Sequence, residues 1–369
     1  MDSELLYQIS LTLVPTIGPV HAKNLIAQLG TARAIFNEPV RYLKRIGGVG
    51  EARATAIRAF RDFQAAEKEI AFLQQFSIQP LFITNPAYPK RLLHCYDCPT
   101  LLYFKGNADL NNPKVVAVVG TRTNTGYGRE MTEKFIAELA GLGVMVVSGL
   151  AHGIDAIAHR SALKNGLPTL GVLAHGLNQV YPIQHTLLAR EMIRQGGLLT
   201  EFRSTAIPDR HQFPSRNRIV AGMSDATVVV ETGVRGGSMI TAELANGYNR
   251  DVFAFPGKAT DAKSAGCHHL IRRHKAYLIS SAAELMENMN WEDRAGSNPE
   301  PEKQILARLT PEERQLIGLL QDRDTVHIDE INLKSGLSSS AVAAAILNME
   351  LQNIIFRHPG NMLKLAASR

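Results

Sequence analysis

Three segments of this chain run a short apolar strand into a glycine-rich turn and then a helix: VVGTRTNTGYG at 118–128, VVSGLAHGIDAIAHR at 146–160 and VVVETGVRGGSMITAE at 228–243. Such turns leave backbone N–H groups unpaired at a helix N-terminus, where the helix dipole adds partial positive charge. Together these make a phosphate-binding device. Gly120 and Thr121 shape the first turn, Ser148, Gly149 and Gly153 the second, and Gly236, Gly237, Ser238 and Thr241 the third. Arginines stand beside them: Arg122, Arg160, Arg216, Arg218 and Arg235. One such loop fits a nucleotide. Several in series, edged with arginine, fit a polyphosphate backbone, and the chain reads as a nucleic-acid binder.

Arg122 directly follows the first turn, and its planar guanidinium can grip a phosphate through two hydrogen bonds. The competing arrangement is an ion pair with an inward carboxylate such as Asp155, which is better suited to bracing its loop than to meeting phosphate. In FPSRNR (213–218), Phe213 can stack a base, Asn217 can read its edge, and Arg216 and Arg218 can hold adjacent phosphates. The same stretch has a structural reading, with Phe213 in the core and Arg218 paired with Glu201 or Glu231. Lys258, after Phe255-Pro256-Gly257, adds a flexible point charge. Aromatic residues make up only 6% of the chain, so affinity must come mainly from phosphates and fall steeply with salt.

Turns of this kind need rigid strands behind them. Near-continuous Val/Ile/Leu runs at 115–119, 143–148, 169–173, 197–201, 226–231 and 251–255 predict strands buried on both faces. That pattern means an α/β fold, a Rossmann-like parallel sheet with crossover helices, over residues 79–288. Ligands of such sheets bind at the carboxyl ends of the strands, where all three turns fall. Residues 79–112, rich in proline, read as short strands and turns capping this core.

Residues 1–78 read as an N-terminal helical domain. Its segments VPTIGPVHAKNLIAQLG (14–30) and LKRIGGVGEARATAIRAF (43–60) resemble paired helix-hairpin-helix motifs of a SAM-like domain. A small helical bundle with glycine turns is the equal alternative. Residues 289–304 are polar and contain Pro and Gly, as a linker does. Residues 305–369 read as a winged-helix domain: helices at 311–320, 328–333 and 338–352, then a wing about Pro359-Gly360. The third helix has no Lys or Arg between Ser338 and Ile355, and a major-groove reader needs such donors. This domain reads as a protein-contact or packing module.

Composition sets limits. With 369 residues, 45% of them hydrophobic, the chain can bury a large core divided among two or three domains. The net charge of +6 permits contact with nucleic acid. The acidic start MDSELLYQIS is not a secretory signal, and the apolar runs are strand-sized, too short for a membrane span. Three cysteines fit a reducing cytoplasm. Cys95 and Cys98 form a CxxC without a second ligand pair at compatible spacing, so no metal is expected. No cofactor is implied either: the segment after Gly120 lacks the lysine and hydroxyl of a nucleotide-hydrolysing P-loop, and the dinucleotide fingerprint GxGxxG is missing after the first strand.

GGSMITAE (236–243) resembles the PGGxGTxxE loop of phosphoribohydrolases in the lysine-decarboxylase-like family. Alignment on the glycine–threonine pair puts Thr241 at the catalytic glutamate, with Glu243 two residues on and on another face of the helix. The general acid/base is lost, which predicts binding without turnover. A nucleoside-monophosphate phosphoribohydrolase is the rival reading.

Taken together, VVGTR (118–122), SGLAHGIDAIAHR (148–160), the run from Gly176-Leu177 to Tyr181-Pro182, FPSRNRIVAGMS (213–224), GGSMITAELA (236–245) and FAFPG (253–257) resemble the DprA family, also called Smf. The resemblance is dense over 81–288 and looser over the flanking domains. It implies a cytoplasmic, non-enzymatic mediator that binds single-stranded DNA, protects incoming DNA, loads the RecA recombinase in natural transformation, and forms a homodimer through its core. His268 stands where the family has asparagine, and His175 where it often has glycine. Extra histidines near a DNA surface give pH sensitivity or serve as neutral polar spacers.

Overall fold

The computed structural model describes residues 3–291, 309–320, 326–351, 354–358 and 362–365. They form two compact units, Met1–Trp291 and Glu292–Arg369. The first opens with helices α1 (Ser3–Leu11), α2 (Pro19–Leu29), α3 (Ala32–Asn37), α4 (Val40–Leu43), α5 (Gly50–Ala59) and α6 (Phe63–Gln75). Next come β1 (Gln79–Phe82), α7 (Lys90–Leu93) and β2 (Leu101–Gly106).

The α/β part alternates β3 (Lys114–Val119), α8 (Gly126–Glu138), β4 (Val144–Ser148), α9 (Ile154–Lys164) and β5 (Thr169–Val172). It continues with α10 (Thr186–Gln195), β6 (Gly196–Thr200), α11 (Gln212–Gly222), β7 (Ala226–Val229), α12 (Gly237–Gly247) and β8 (Asp251–Ala254), then α13 (Ala265–Arg272), β9 (Tyr277–Leu278) and α14 (Ala282–Asn288).

The strands form one sheet in the order β1-β2-β6-β5-β4-β3-β7-β8-β9. Pairing is parallel from β6 to β9, and β1 and β2 run antiparallel at the β6 edge. Residues 79–112 are therefore no cap: the two strands they supply extend the sheet itself. The period-2 geometry of β3 shows why its run is continuously apolar. Val115, Ala117 and Val119 face one apolar cluster, while Val116 and Val118 face another with Phe135 and Phe253.

The first cluster joins Leu25, Ile35, Ile57 and Ile70 of the helical segment to Leu81, Leu102, Val147 and Leu199 of the sheet. Position 78/79 therefore lies inside a continuous core.

The second unit has helices α15 (Pro311–Leu320), α16 (Ile328–Ser335) and α17 (Ser339–Leu351). Its strands β10 (Val326–His327), β11 (Ile355–His358) and β12 (Met362–Leu365) pair antiparallel in the order β10-β12-β11. Leu316, Leu320, Val342, Ile346 and Leu363 fill its core. This is a winged helix. The wing tip at 359–360 and most of the expected linker, from residue 292, lie outside the described residues.

Candidate nucleic-acid interface

The chain runs from β3 to β4, β5 and β6 on one side, then returns to β7 on the other side of β3. Such a switch in strand order opens a crevice at the carboxyl ends of the strands. Here the three glycine turns are stitched together across it. Thr121 N–H donates to Glu231 O (2.7 Å), joining the first turn to the third, and Ile154 N–H donates to Thr121 O (3.2 Å), joining the second to the first. Gly153 makes the latter contact possible: its φ is +76°, and a Cβ there would lie 2.2 Å from Thr121 O. Gly237, which opens α12, has nothing within 4 Å of where a Cβ would stand. The N-terminus of α12 is thus uncrowded at that position, and Gly237 lines the cleft between the turns.

The turns enclose a cleft of about 510 Å³. Gly120, Thr121, Arg122, Gly149, Phe213, Arg216, Asn217, Gly236, Gly237, Ser238 and Thr241 all line it, joined by Arg210. Arg122 is exposed, and its guanidinium carbon sits 5.0 Å from the centroid of the partly buried Phe213 ring. Tyr181 lies beyond, its ring 6.2 Å from that of Phe213. Among the described residues, Asp155 is the one carboxylate lining the cleft. It accepts from Ala151 N–H at 3.4 Å. Burial pushes its carboxyl above the usual range, an effect that the Arg216 guanidinium opposes. The rim is cationic and its single acid is sunk in the floor.

Residues 79–290 match the model of the family described as DNA recombination-mediator protein A, and residues 300–361 match that of the DprA winged helix domain. The chain belongs to the DprA/Smf family. Protein Smf of Escherichia coli (strain K12) is 34% identical over 309 residues, covering 82% of this chain and 81% of that protein. DNA processing protein A from Streptococcus pneumoniae, solved by X-ray, superposes with a TM-score of 0.67 at 33% identity, covering 76% of this chain and 97% of the other. DNA processing protein A from Helicobacter pylori superposes with a TM-score of 0.53 at 29% identity, covering 58% and 96%.

Within this DprA core, several residues expected to touch DNA have other employment. Phe213, Arg216, Asn217 and Arg218 lie on helix α11 rather than in a loop. Successive side chains on a helix diverge by about 100°, so the stretch cannot present both arginines to one ligand. Arg216 is 4% exposed and donates through Nη1 to the carbonyls of Gly149 and Val172. Its role is corrected from phosphate clamp to internal strut beneath the cleft. Burial pushes its pKa down to about 10, with Asp155 opposing, and the group stays charged at neutral pH. Arg218 pairs with Glu201 and donates to Asp97 O at 2.6 Å. It too is corrected to a structural group.

Ser148 is fully buried and donates to Val118 O at 2.7 Å. Gly153 shapes the turn without lining the cleft, and the exposed Arg160 and Lys258 also lie outside its lining. The first turn differs from expectation as well. Buried Glu231 accepts from Thr125 N–H at 2.9 Å, so the protein's own carboxylate occupies the N-terminus of α8. Ser238 donates to Thr232 Oγ1 at 2.7 Å, and Thr241 is 2% exposed. Both line the cleft, and the Ser238 hydroxyl is already engaged with Thr232.

Arg210 was missed as a site residue. It precedes α11 among Asp209 and His211, and only the fold brings it to the rim. Glu243, the acid of the rival reading, takes Lys275 at 2.7 Å and does not line the cleft. His175 is buried, bonded through Nδ1 to Gly176 O (2.8 Å) while Nε2 accepts from Tyr181 N–H (3.2 Å). It fixes the loop that carries Tyr181. The three cysteines are free and buried. Among the described residues no cluster of ligands suits a metal, and no helix is long and apolar enough to cross a membrane.

Proposed function

We propose that this protein binds single-stranded DNA in the cleft between β3, β4 and β7 and acts as a recombination mediator without turnover. One observation carries the reading: exposed Arg122 and Arg210 line one cleft together with Phe213, whose ring lies 5.0 Å from the Arg122 guanidinium, and with Gly236 and Gly237 at the N-terminus of α12. Phosphates can dock on the guanidinium groups and the α12 amides while a base meets the aromatic face. The H. pylori relative, described as having a unique single-stranded DNA binding mode, supports the same ligand. Family membership supports the further steps: protection of incoming DNA and RecA loading in natural transformation, by a cytoplasmic homodimer joined through the core. The phosphoribohydrolase reading needs an acid aimed at the ligand, and the Glu243–Lys275 pair gives it no support.

A labelled oligo-dT titrated at several salt concentrations tests the binding step. The expected log–log slope is about −0.7 per neutralised phosphate, with weaker binding of duplex. Absence of binding, or affinity indifferent to salt, defeats the reading. RecA filament formation on single strands, with and without the protein, tests the loading step.

A further inference from the structure

Glu69 lies on α6 of the helical segment, with only 3% of its surface exposed. A buried carboxylate is costly unless its oxygens are hydrogen-bonded. Here both are used on a single residue 135 positions away: Oε1 accepts Ser204 N–H at 2.9 Å, and Oε2 accepts Ser204 Oγ–H at 2.6 Å.

Ser204 belongs to the loop between β6 and α11. Immediately beyond it, Ala206 N–H donates to Arg203 O (2.9 Å) and Ala206 O accepts from Gly176 N–H (3.0 Å). The loop lies so close to residue 176 that a Cβ there would stand 2.2 Å from Arg203 O. Further on, Thr205, Ile207, Asp209 and Arg210 are exposed. With few buried side chains, this stretch owes its position to the bonds at its ends. Asp209 then turns the chain into α11, accepting His211 N–H through Oδ1 at 2.8 Å. The residue delivered to the cleft rim is Arg210.

We propose that Glu69 is a positioning residue for the cleft: its carboxylate fixes the loop at Ser204, and the fixed loop holds Arg210 where a strand phosphate docks. The inference rests on the single-strand reading above. It makes the N-terminal helices a brace for the DNA cleft, although they line none of it.

The test uses the full chain and a dT oligonucleotide. Glu69→Ala, which removes both bonds, weakens binding and flattens the log–log salt slope by as much as Arg210→Ala does, about 0.7 for one phosphate contact. Ser204→Ala, which keeps the backbone N–H bond and loses the hydroxyl bond, does so in part. In the Arg210→Ala background neither adds a further loss, because the group they act through is gone. Glu69→Gln keeps near-parental binding: its amide oxygen accepts the Ser204 N–H, and the hydroxyl turns to accept from the amide. Glu69→Ala can also loosen the helix packing, and Ser204→Ala, made on the loop side, keeps the test decisive. A loss that persists in the Arg210→Ala background, an unchanged slope, or an Arg210→Ala protein that binds like the parent overturns the proposal. Parental protein that ignores the oligonucleotide defeats the single-strand reading itself. Parental binding matched by both loop-anchor variants defeats this inference alone.

Discussion

Arg216 and Gly149 are fitted to one another. The buried guanidinium donates to the Gly149 carbonyl, and a Cβ at position 149 would stand 2.6 Å from its central carbon. A second bond, to Val172 O, ties the same side chain to the end of β5. One arginine thus fastens α11 to the ends of two strands and sets the cleft floor.

Gly149→Ala forces that guanidinium to move, and overpacking of this kind costs about 1–3 kcal/mol. Arg216→Ala deprives two carbonyls of their donor and costs about 2–5 kcal/mol. Urea unfolding of both variants measures the loss, which should precede any effect on DNA at low denaturant.

Arg122 behaves in the opposite way. It is exposed, so Arg122→Ala should leave the unfolding midpoint within about 0.5 kcal/mol of the parent. Its loss should weaken binding alike for all oligonucleotide sequences and reduce the salt slope by about 0.7. Fluorescence anisotropy at four salt concentrations reads both quantities.

Phe213 sits beneath Arg122, at 5.0 Å, and beside Arg216, at 5.9 Å. If a base stacks there, Phe213→Ala costs about 1–3 kcal/mol of binding without altering the salt slope. A slope that changes with the ring would mean that Phe213 works by orienting Arg122.

Arg218→Ala should leave the salt slope untouched, since its charge already belongs to Glu201. It strands that carboxylate, which burial already holds above its ordinary pKa with Arg218 opposing. The variant should unfold at lower urea near neutral pH and recover stability as acid protonates Glu201. Parallel denaturation curves at two pH values decide this.

Acid stability depends on three buried histidines. Burial pushes His159 from 6.5 to about 3, and it lowers His175 and His185 as well. As pH falls below 6.5 the unfolded chain takes up protons that the folded rings refuse, so stability drops through this window. Each ring contributes up to about 1.4 kcal/mol per pH unit. Asp155 and Glu201, both shifted upward, have the opposite sign and oppose the loss where they titrate. Replacing His159 with Asn should shallow the descent, as followed by thermal melts from pH 7 downward.

The order of strands and helices was legible in the chain because burial on both faces writes an unbroken apolar run, and β3 to β8 fall where those runs lie. The turns were legible too, since glycine and short polar residues at strand ends have few other uses. The antiparallel strands β1 and β2 are not legible as part of the sheet: proline and turn residues surround them, and the pairing of β2 with β6 is a long-range contact.

Composition could collect the arginines but could not aim them. Helical geometry turned Arg216 into the floor and Arg218 toward Glu201, while a loop held by Glu69 carried Arg210 to the rim. Local sequence fixes backbone type because hydrogen bonds and burial there repeat with a short period. Which charge meets solvent and which meets a carbonyl depends on residues far away in the chain, and only packing brings those together.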